Sequence, residues 1–149
     1  MRLLLLHGPN LNLFGRREPG VYGTVTFAEI NRRIGALADE LGVELIVLQS
    51  NHEGALIDAF HAHIDSVDGA LINAGGLTHT SIALHDCIKA MPFPVVEVHM
   101  SNIHAREPFR HHSVIAPACL GAVAGFGWRS YTAALRLLVE HLNERNPMV

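Results

Sequence analysis

Lysine is nearly missing from this chain. Of its 11 cationic residues ten are arginine, and Lys89 is the only lysine. A Schiff-base mechanism therefore has one candidate nucleophile. Cysteine is as scarce. Cys87 and Cys119 stand far apart in apolar surroundings, with no CxxC or zinc-type spacing, which reads as two free thiols in a reducing compartment. Charge is low as well. Charged residues make up 17% and the formal net charge is −3, which argues against a nucleic-acid or membrane partner recruited by charge. No apolar run approaches the ~18 residues of a membrane span. The opening Met1-Arg2-Leu3-Leu4-Leu5-Leu6 has too short an apolar core for a signal peptide, and His7-Gly8-Pro9-Asn10 ends it. The expected location is the cytoplasm. Repeats, linkers and low-complexity segments are absent too, and 149 residues suit a single domain over 1–149.

Apolar residues, in contrast, are plentiful, at 49% with a mean hydropathy of +0.23. That is high for a small soluble monomer, so part of the surface is expected to be buried against other subunits. The apolar residues come in alternating patterns. Residues 3–6, 43–48, 70–74, 95–98 and 118–126 are short runs bounded by Gly, Pro, Asn or Ser, hence strands. Between them lie helical spacings. Thr26 and Glu29 form a capping box ahead of Phe27, Ile30, Ile34, Leu37, Ala38 and Leu41. Ser50 and Glu53 repeat that spacing ahead of Leu56, Ile57, Phe60 and Ile64. A third helix starts near Ser81 and is expected to bury Ile82, Ala83 and Ile88. A last one, 128–145, puts Tyr131, Leu135, Leu138, Val139 and Leu142 on one face. Gly121 and Gly125 are expected to permit close backbone approach in the fifth strand.

Strands alternating with helices imply an α/β fold: a flavodoxin-like, five-stranded parallel sheet of order 2-1-3-4-5 with helices on both faces. Right-handed crossovers bring the loops after strands one, three and four to a common edge. Residues 8–24 form a long aperiodic loop carrying Asn10, Arg16, Arg17 and Tyr22, and loops of that length are usually functional or disordered. The third loop brings Asn73, His79 and Ser81, with Asp86 on the helix beyond. The fourth, within EVHMSNIHAREPFRHH at 97–112, brings His99, Ser101, Asn102, His104, Arg106 and Arg110.

Several chemistries fit these residues poorly. His61 and His63, at i and i+2 on a helix, face different ways, and His99 and His104 lack a third ligand at recognisable spacing, so a metal is not expected. No GxGxxG follows the first strand and no GxxxxGK[ST] occurs. Gly75-Gly76 ahead of a helix is explained as well by a tight turn as by anion binding. Ser81, His79 and Asp86 come without a GxSxG elbow, and Ser81 reads as a helix cap. Acid–base chemistry on a small polar anion remains. Arg110 and Arg106 are placed to fork a carboxylate, Ser101 to assist, and His99 to move a proton near neutral pH. Tyr22 beside two arginines is the less obvious candidate.

GPNLNLFGRREP, VYG, LQSNHEG, NAGGLTHTS, ALHD, EVHMSN, HAREPFRHHS and GAVAGFG together resemble type II 3-dehydroquinate dehydratase, over about residues 3–142. The resemblance implies loss of water from 3-dehydroquinate to give 3-dehydroshikimate, in the route to chorismate or in quinate breakdown. It implies no cofactor, and a homo-oligomer built from trimers into a dodecamer. By the matching motifs Tyr22 is the proton acceptor, Arg17 its activator and His99 the proton donor to the departing hydroxyl. Asn10 and Asn73 hold substrate and a water near the developing enolate. His79 and Asp86 bind substrate hydroxyls, with Asp86 delivered from a neighbouring subunit, and Met100, Ser101 and Arg110 bind the carboxylate. Glu97 lies near the donor, and positions 97 and 99 of a strand share a side, so it can orient the His99 ring. Met100 stands where Ile or Leu is usual, which a backbone N–H contact does not register. Because one arginine is marginal for ionising a tyrosine, further positive field or hydrogen bonds are expected from the closed lid. The rival reading from another class is a non-catalytic flavodoxin-like module that binds a small polyol acid.

Overall fold

The computed structural model describes residues 1–146; the last three of the expected 1–149 unit lie outside the described residues. Five strands, β1 (Arg2–His7), β2 (Glu44–Gln49), β3 (Gly69–Asn73), β4 (Val95–His99) and β5 (Gly121–Ala124), pair in parallel in the order β2-β1-β3-β4-β5. Five helices connect or follow them: a single turn α1 (Pro19–Tyr22), α2 (Phe27–Glu40), α3 (Glu53–Ala62), α4 (Ile82–Ala90) and α5 (Arg129–Arg145). The sheet is the flavodoxin-like one that the alternation predicts.

The period of two sorts the strand side chains. Leu3, Leu5, Leu71, Val96 and Val98 join α2 and α5 in one core, whereas Leu4, Leu6, Ala70, Ile72 and Val95 join α3 and α4 in the other. Leu3 to Leu6 are all fully buried, as a central strand covered on both faces requires. Each such side chain contributes about 1.5–3 kcal/mol. β2 is an edge strand, with Val47 and Leu48 exposed, and β5 is the other edge.

The structure corrects several sequence readings. Ile82 is 69% exposed and Ala83 is exposed too. The helix begins at Ile82, and its buried stripe is Leu84, Cys87 and Ile88, which leaves Ile82 on the outer side of the first turn. Thr26 accepts from the Glu29 amide as expected. The Glu29 carboxylate, however, turns to Arg32 and Arg33 instead of closing the box. Ser50 and Glu53 form no box: His52 occupies the cap position, Ser50 Oγ accepts from the His52 amide, and Glu53 accepts from Ser81 Oγ. The 8–24 loop is not aperiodic, since it holds a 3₁₀ turn at Leu11–Leu13 as well as α1. The fifth strand is shorter than 118–126, because Ala116–Ala118 with Pro117 forms a 3₁₀ turn and Gly125 bends away at φ 96°. The close backbone approach is not at Gly121, where a Cβ would meet nothing. It is where β1 and β3 end: a Cβ on Gly8 would lie 2.4 Å from the Ala74 carbonyl oxygen, and one on Gly75 2.9 Å from that of Pro9.

Candidate active site

β1, β3 and β4 end at the same edge, so the loops that follow them converge. The first loop leaves β1 through Gly8, whose amide donates to the Asn73 carbonyl at 2.7 Å. Asn10 then adopts a left-handed backbone, φ 70°, a conformation that short amide side chains tolerate. Its amide donates to Asn51 Oδ1 at 3.0 Å. Phe14, only 3% exposed, anchors the loop in the core. Pro19 opens α1 at a position that suits its fixed φ, and Tyr22 ends that turn with its ring beside Phe14, centroids 5.6 Å apart.

The Tyr22 hydroxyl meets two guanidinium groups. Arg17 Nη2 donates to it at 3.2 Å and Arg106 Nη1 at 2.7 Å, and both groups also lie over the ring, at 4.5 and 5.1 Å from its centroid. Glu18, at 3.9 Å from Arg17 and 3.6 Å from Arg106, offsets part of this charge from an exposed position. The pairing changes the expected part of Arg106. Expected to fork a carboxylate alongside Arg110, it reaches from the fourth loop to the first and also donates to Ser101 Oγ at 3.4 Å. Arg110 pairs with Glu107, whose carboxyl it holds below the usual range.

His99 and Glu97 share the α3–α4 side of β4. His99 Nε2 bonds Glu97 Oε2 at 2.8 Å, and Ser113 Oγ donates to Glu97 Oε1 at 2.7 Å. Both residues are buried, at 6% and 1% exposure. With Nε2 engaged, Nδ1 is the nitrogen left to face the cavity. His79 Nδ1 donates to the His112 carbonyl at 2.8 Å, leaving Nε2 as an acceptor. Partial burial lowers the His79 pKa, partly offset by the bond to the His112 carbonyl, with smaller lowering contributions from His99 and Arg110.

Asn10, Arg17, Tyr22, Asn73, His79, His99, Met100, Ser101, Arg106 and Arg110 line one cavity. Its volume is about 100 Å³, and it opens to solvent. Glu97 sits behind His99. Asp86 is not brought in: its side chain is 72% exposed on α4 and pairs with His85. Ser81 caps α4 through the Leu84 amide, and Lys89 lies outside the cavity lining. Sequence reasoning missed Ser113, although it ends the quoted HAREPFRHHS block. It also missed His7 and Tyr131: the Tyr131 hydroxyl bonds both His7 and Asn73.

Fold and site together define a flavodoxin-like α/β protein with a cavity lined by histidine, arginine and tyrosine at the C-terminal edge of its sheet. The comparisons narrow this. The sequence model of the family "Dehydroquinase class II" matches residues 1–139. A 3-dehydroquinate dehydratase of Jannaschia sp. (strain CCS1) is 55% identical over 146 residues, covering 98% of this chain and 99% of that protein. One of Nostoc sp. (strain PCC 7120 / SAG 25.82 / UTEX 2576) is 56% identical over 95% of this chain and 97% of its own length. The crystal structure of a type II dehydroquinase from Butyrivibrio crossotus DSM 2876 superposes with a TM-score of 0.91 at 38% identity, covering 93% of this chain and 97% of that one. The chain belongs to the class II dehydroquinase family.

Proposed function

We propose that this chain dehydrates 3-dehydroquinate to 3-dehydroshikimate through an enolate, in chorismate and aromatic amino-acid biosynthesis. Quinate breakdown would use the same step. The observation that carries the mechanism is the Tyr22 hydroxyl set between Arg17 and Arg106, in the same cavity as the His99–Glu97 pair. A free phenol is ionised to only about one part in a thousand at pH 7, so a tyrosine base needs cationic donors at its oxygen. Tyr22 has two.

Tyr22 as phenolate takes the proton beside the substrate ketone. The electron pair moves into the enolate, whose oxygen is stabilised by a water held by Asn10 and Asn73, in the manner of an oxyanion hole. The enolate then collapses, the carbon–oxygen bond to the leaving hydroxyl breaks, and His99 gives that hydroxyl a proton so that it departs as water. Glu97, itself fixed by Ser113, keeps the His99 ring aimed. Exchange with solvent returns the proton from Tyr22 and restores His99. Arg110, Ser101 and Met100 hold the carboxylate and His79 a hydroxyl. The reaction asks for no cofactor. Asp86 of a neighbouring subunit completes the hydroxyl contacts in a dodecamer of trimers, a reading supported by its exposure on α4 beside the exposed Ile82. The place of action proposed is the cytoplasm; among the described residues no helix is long and apolar enough to cross a membrane.

Purified protein given 3-dehydroquinate is expected to show the rising ultraviolet absorbance of a conjugated enone acid. Folded protein that binds the substrate without that signal would instead be the non-catalytic module.

A further inference from the structure

We infer that His7 and Tyr131 are positioning residues for Asn73, a buried strut that holds the Asn73 amide in the orientation set by the Gly75 N–H. The inference rests on the dehydratase reading of that cavity.

His7 and Asn73 are register partners on β1 and β3. By parity with Leu3, Leu5 and Leu71 they point toward the side covered by α2 and α5. There the first turn of α5 lowers Tyr131 onto them, and His7 and Tyr131 are both fully buried. The hydrogen bonds then run in one direction only. The Gly75 amide can only donate, and it lies 3.1 Å from Asn73 Oδ1, so the oxygen of the side chain must face it. Asn73 Nδ2 therefore turns to Tyr131 and donates to its hydroxyl at 2.8 Å. Having accepted there, the hydroxyl places its own hydrogen on His7 Nδ1 at 3.2 Å. Nδ1 is thus the bare nitrogen, and the proton on Nε2 goes to Asn31 Oδ1 at 3.0 Å.

Every direction in this chain follows from one backbone N–H. It closes only if His7 is neutral, because a protonated ring would set an N–H against the Tyr131 O–H and leave one hydrogen without an acceptor. The surroundings agree. The ring meets Phe27 edge-on at 4.8 Å and has no carboxylate among its partners, and burial holds its pKa at about 4. Neither His7 nor Tyr131 lines the cavity, whereas Asn73 does, so both act through Asn73. The result is chemical as well as mechanical. With one Nδ2–H tied to Tyr131, the other is left to donate toward the cavity, where negative charge develops on an enolate oxygen. A flipped amide would present a carbonyl oxygen to that charge.

The test is a mutant cycle with kcat and KM resolved, begun on the wild-type protein. Absence of turnover there would overturn the dehydratase reading itself, and this inference with it. Given turnover, Tyr131→Phe keeps the ring and removes the hydroxyl. It is expected to lower kcat ~10–100-fold, the scale of a misplacement of about 1 Å, with KM within about threefold. In an Asn73→Ala background the same substitution is expected to change kcat less than about twofold, since the group it acts through is gone. His7→Leu is expected to reproduce the loss. His7→Asn, whose Oδ1 takes the place of Nδ1 as acceptor, is expected to recover most of it. The inference is overturned if Tyr131→Phe turns over at the wild-type rate, if its loss persists undiminished without the Asn73 amide, or if the Leu and Asn variants at position 7 behave alike.

Discussion

Single residues carry the chemistry, and three make separable predictions. Arg106 holds the shorter of the two bonds to the Tyr22 hydroxyl, 2.7 Å against 3.2 Å from Arg17. Arg106→Gln is expected to lower kcat by ~10²–10³, the cost of losing one preorganised donor, with a smaller change in KM. Steady-state kinetics check this, and an Arg106→Gln loss confined to KM would return Arg106 to carboxylate binding. His7 makes a thermodynamic prediction. Folded His7 titrates at about 4 against an ordinary 6.5, so as pH falls the unfolded chain binds the proton first. Its contribution is complete above pH 6.5 and is lost between there and pH 4, amounting to about 3 kcal/mol. Urea titrations across that range are expected to show the drop, reduced in His7→Asn. Cys119, whose thiol burial pushes up to about 12, is expected to resist alkylation at pH 8 in the native protein and to react on unfolding.

At the scale of elements, the site depends on how closely the loops after β1 and β3 pass. A Gly8→Ala side chain would press on the Ala74 backbone, which cannot swing aside as a side chain can. It is expected to cost about 1–3 kcal/mol and to lower turnover by separating Asn10 from Asn73, which unfolding and rate measurements on one preparation would show. This scale also decides what the sequence could reveal. The sheet order and the faces of α2 and α5 were legible, because periodicity is a local signal and buried parallel strands read as apolar runs. The loops that meet were legible from where the strands end, and the resemblance named their residues. Ile82 misled because one apolar residue at a helix start has no register until the cap is known. The turn ending at Tyr22 was hidden because tertiary contacts hold it, Phe14 in the core and Arg106 from the fourth loop. Tyr131 read as a core aromatic. Its hydroxyl bonds a histidine 124 residues away, and periodicity carries no record of such a pairing.

At the scale of the whole molecule, surface and composition point outward. Ile82, Phe109 and Phe126 are 69%, 68% and 70% exposed, on a chain whose composition is already apolar. Asp86 is turned away from its own cavity. If subunits share sites as proposed, light scattering is expected to give about twelve times the 16.3 kDa chain mass. Asp86→Ala is then expected to raise KM, and a monomer with full activity would contradict the sharing. The near-absence of lysine bears on the chemistry at this scale too. Borohydride added with substrate is expected to leave Lys89 unmodified, and a mass adduct there would favour an iminium route.

The central claim is that Tyr22 is the base, and Tyr22→Phe tests it most directly, since it keeps the ring between Phe14 and the two guanidiniums and removes only the hydroxyl. With 3-dehydroquinate as substrate, a folded variant is expected to retain substrate binding and to lose kcat by at least ~10²-fold, the lower end of what a positioned proton-transfer group supplies. Turnover near the wild-type rate in that variant would contradict the account and place the base elsewhere in the cavity.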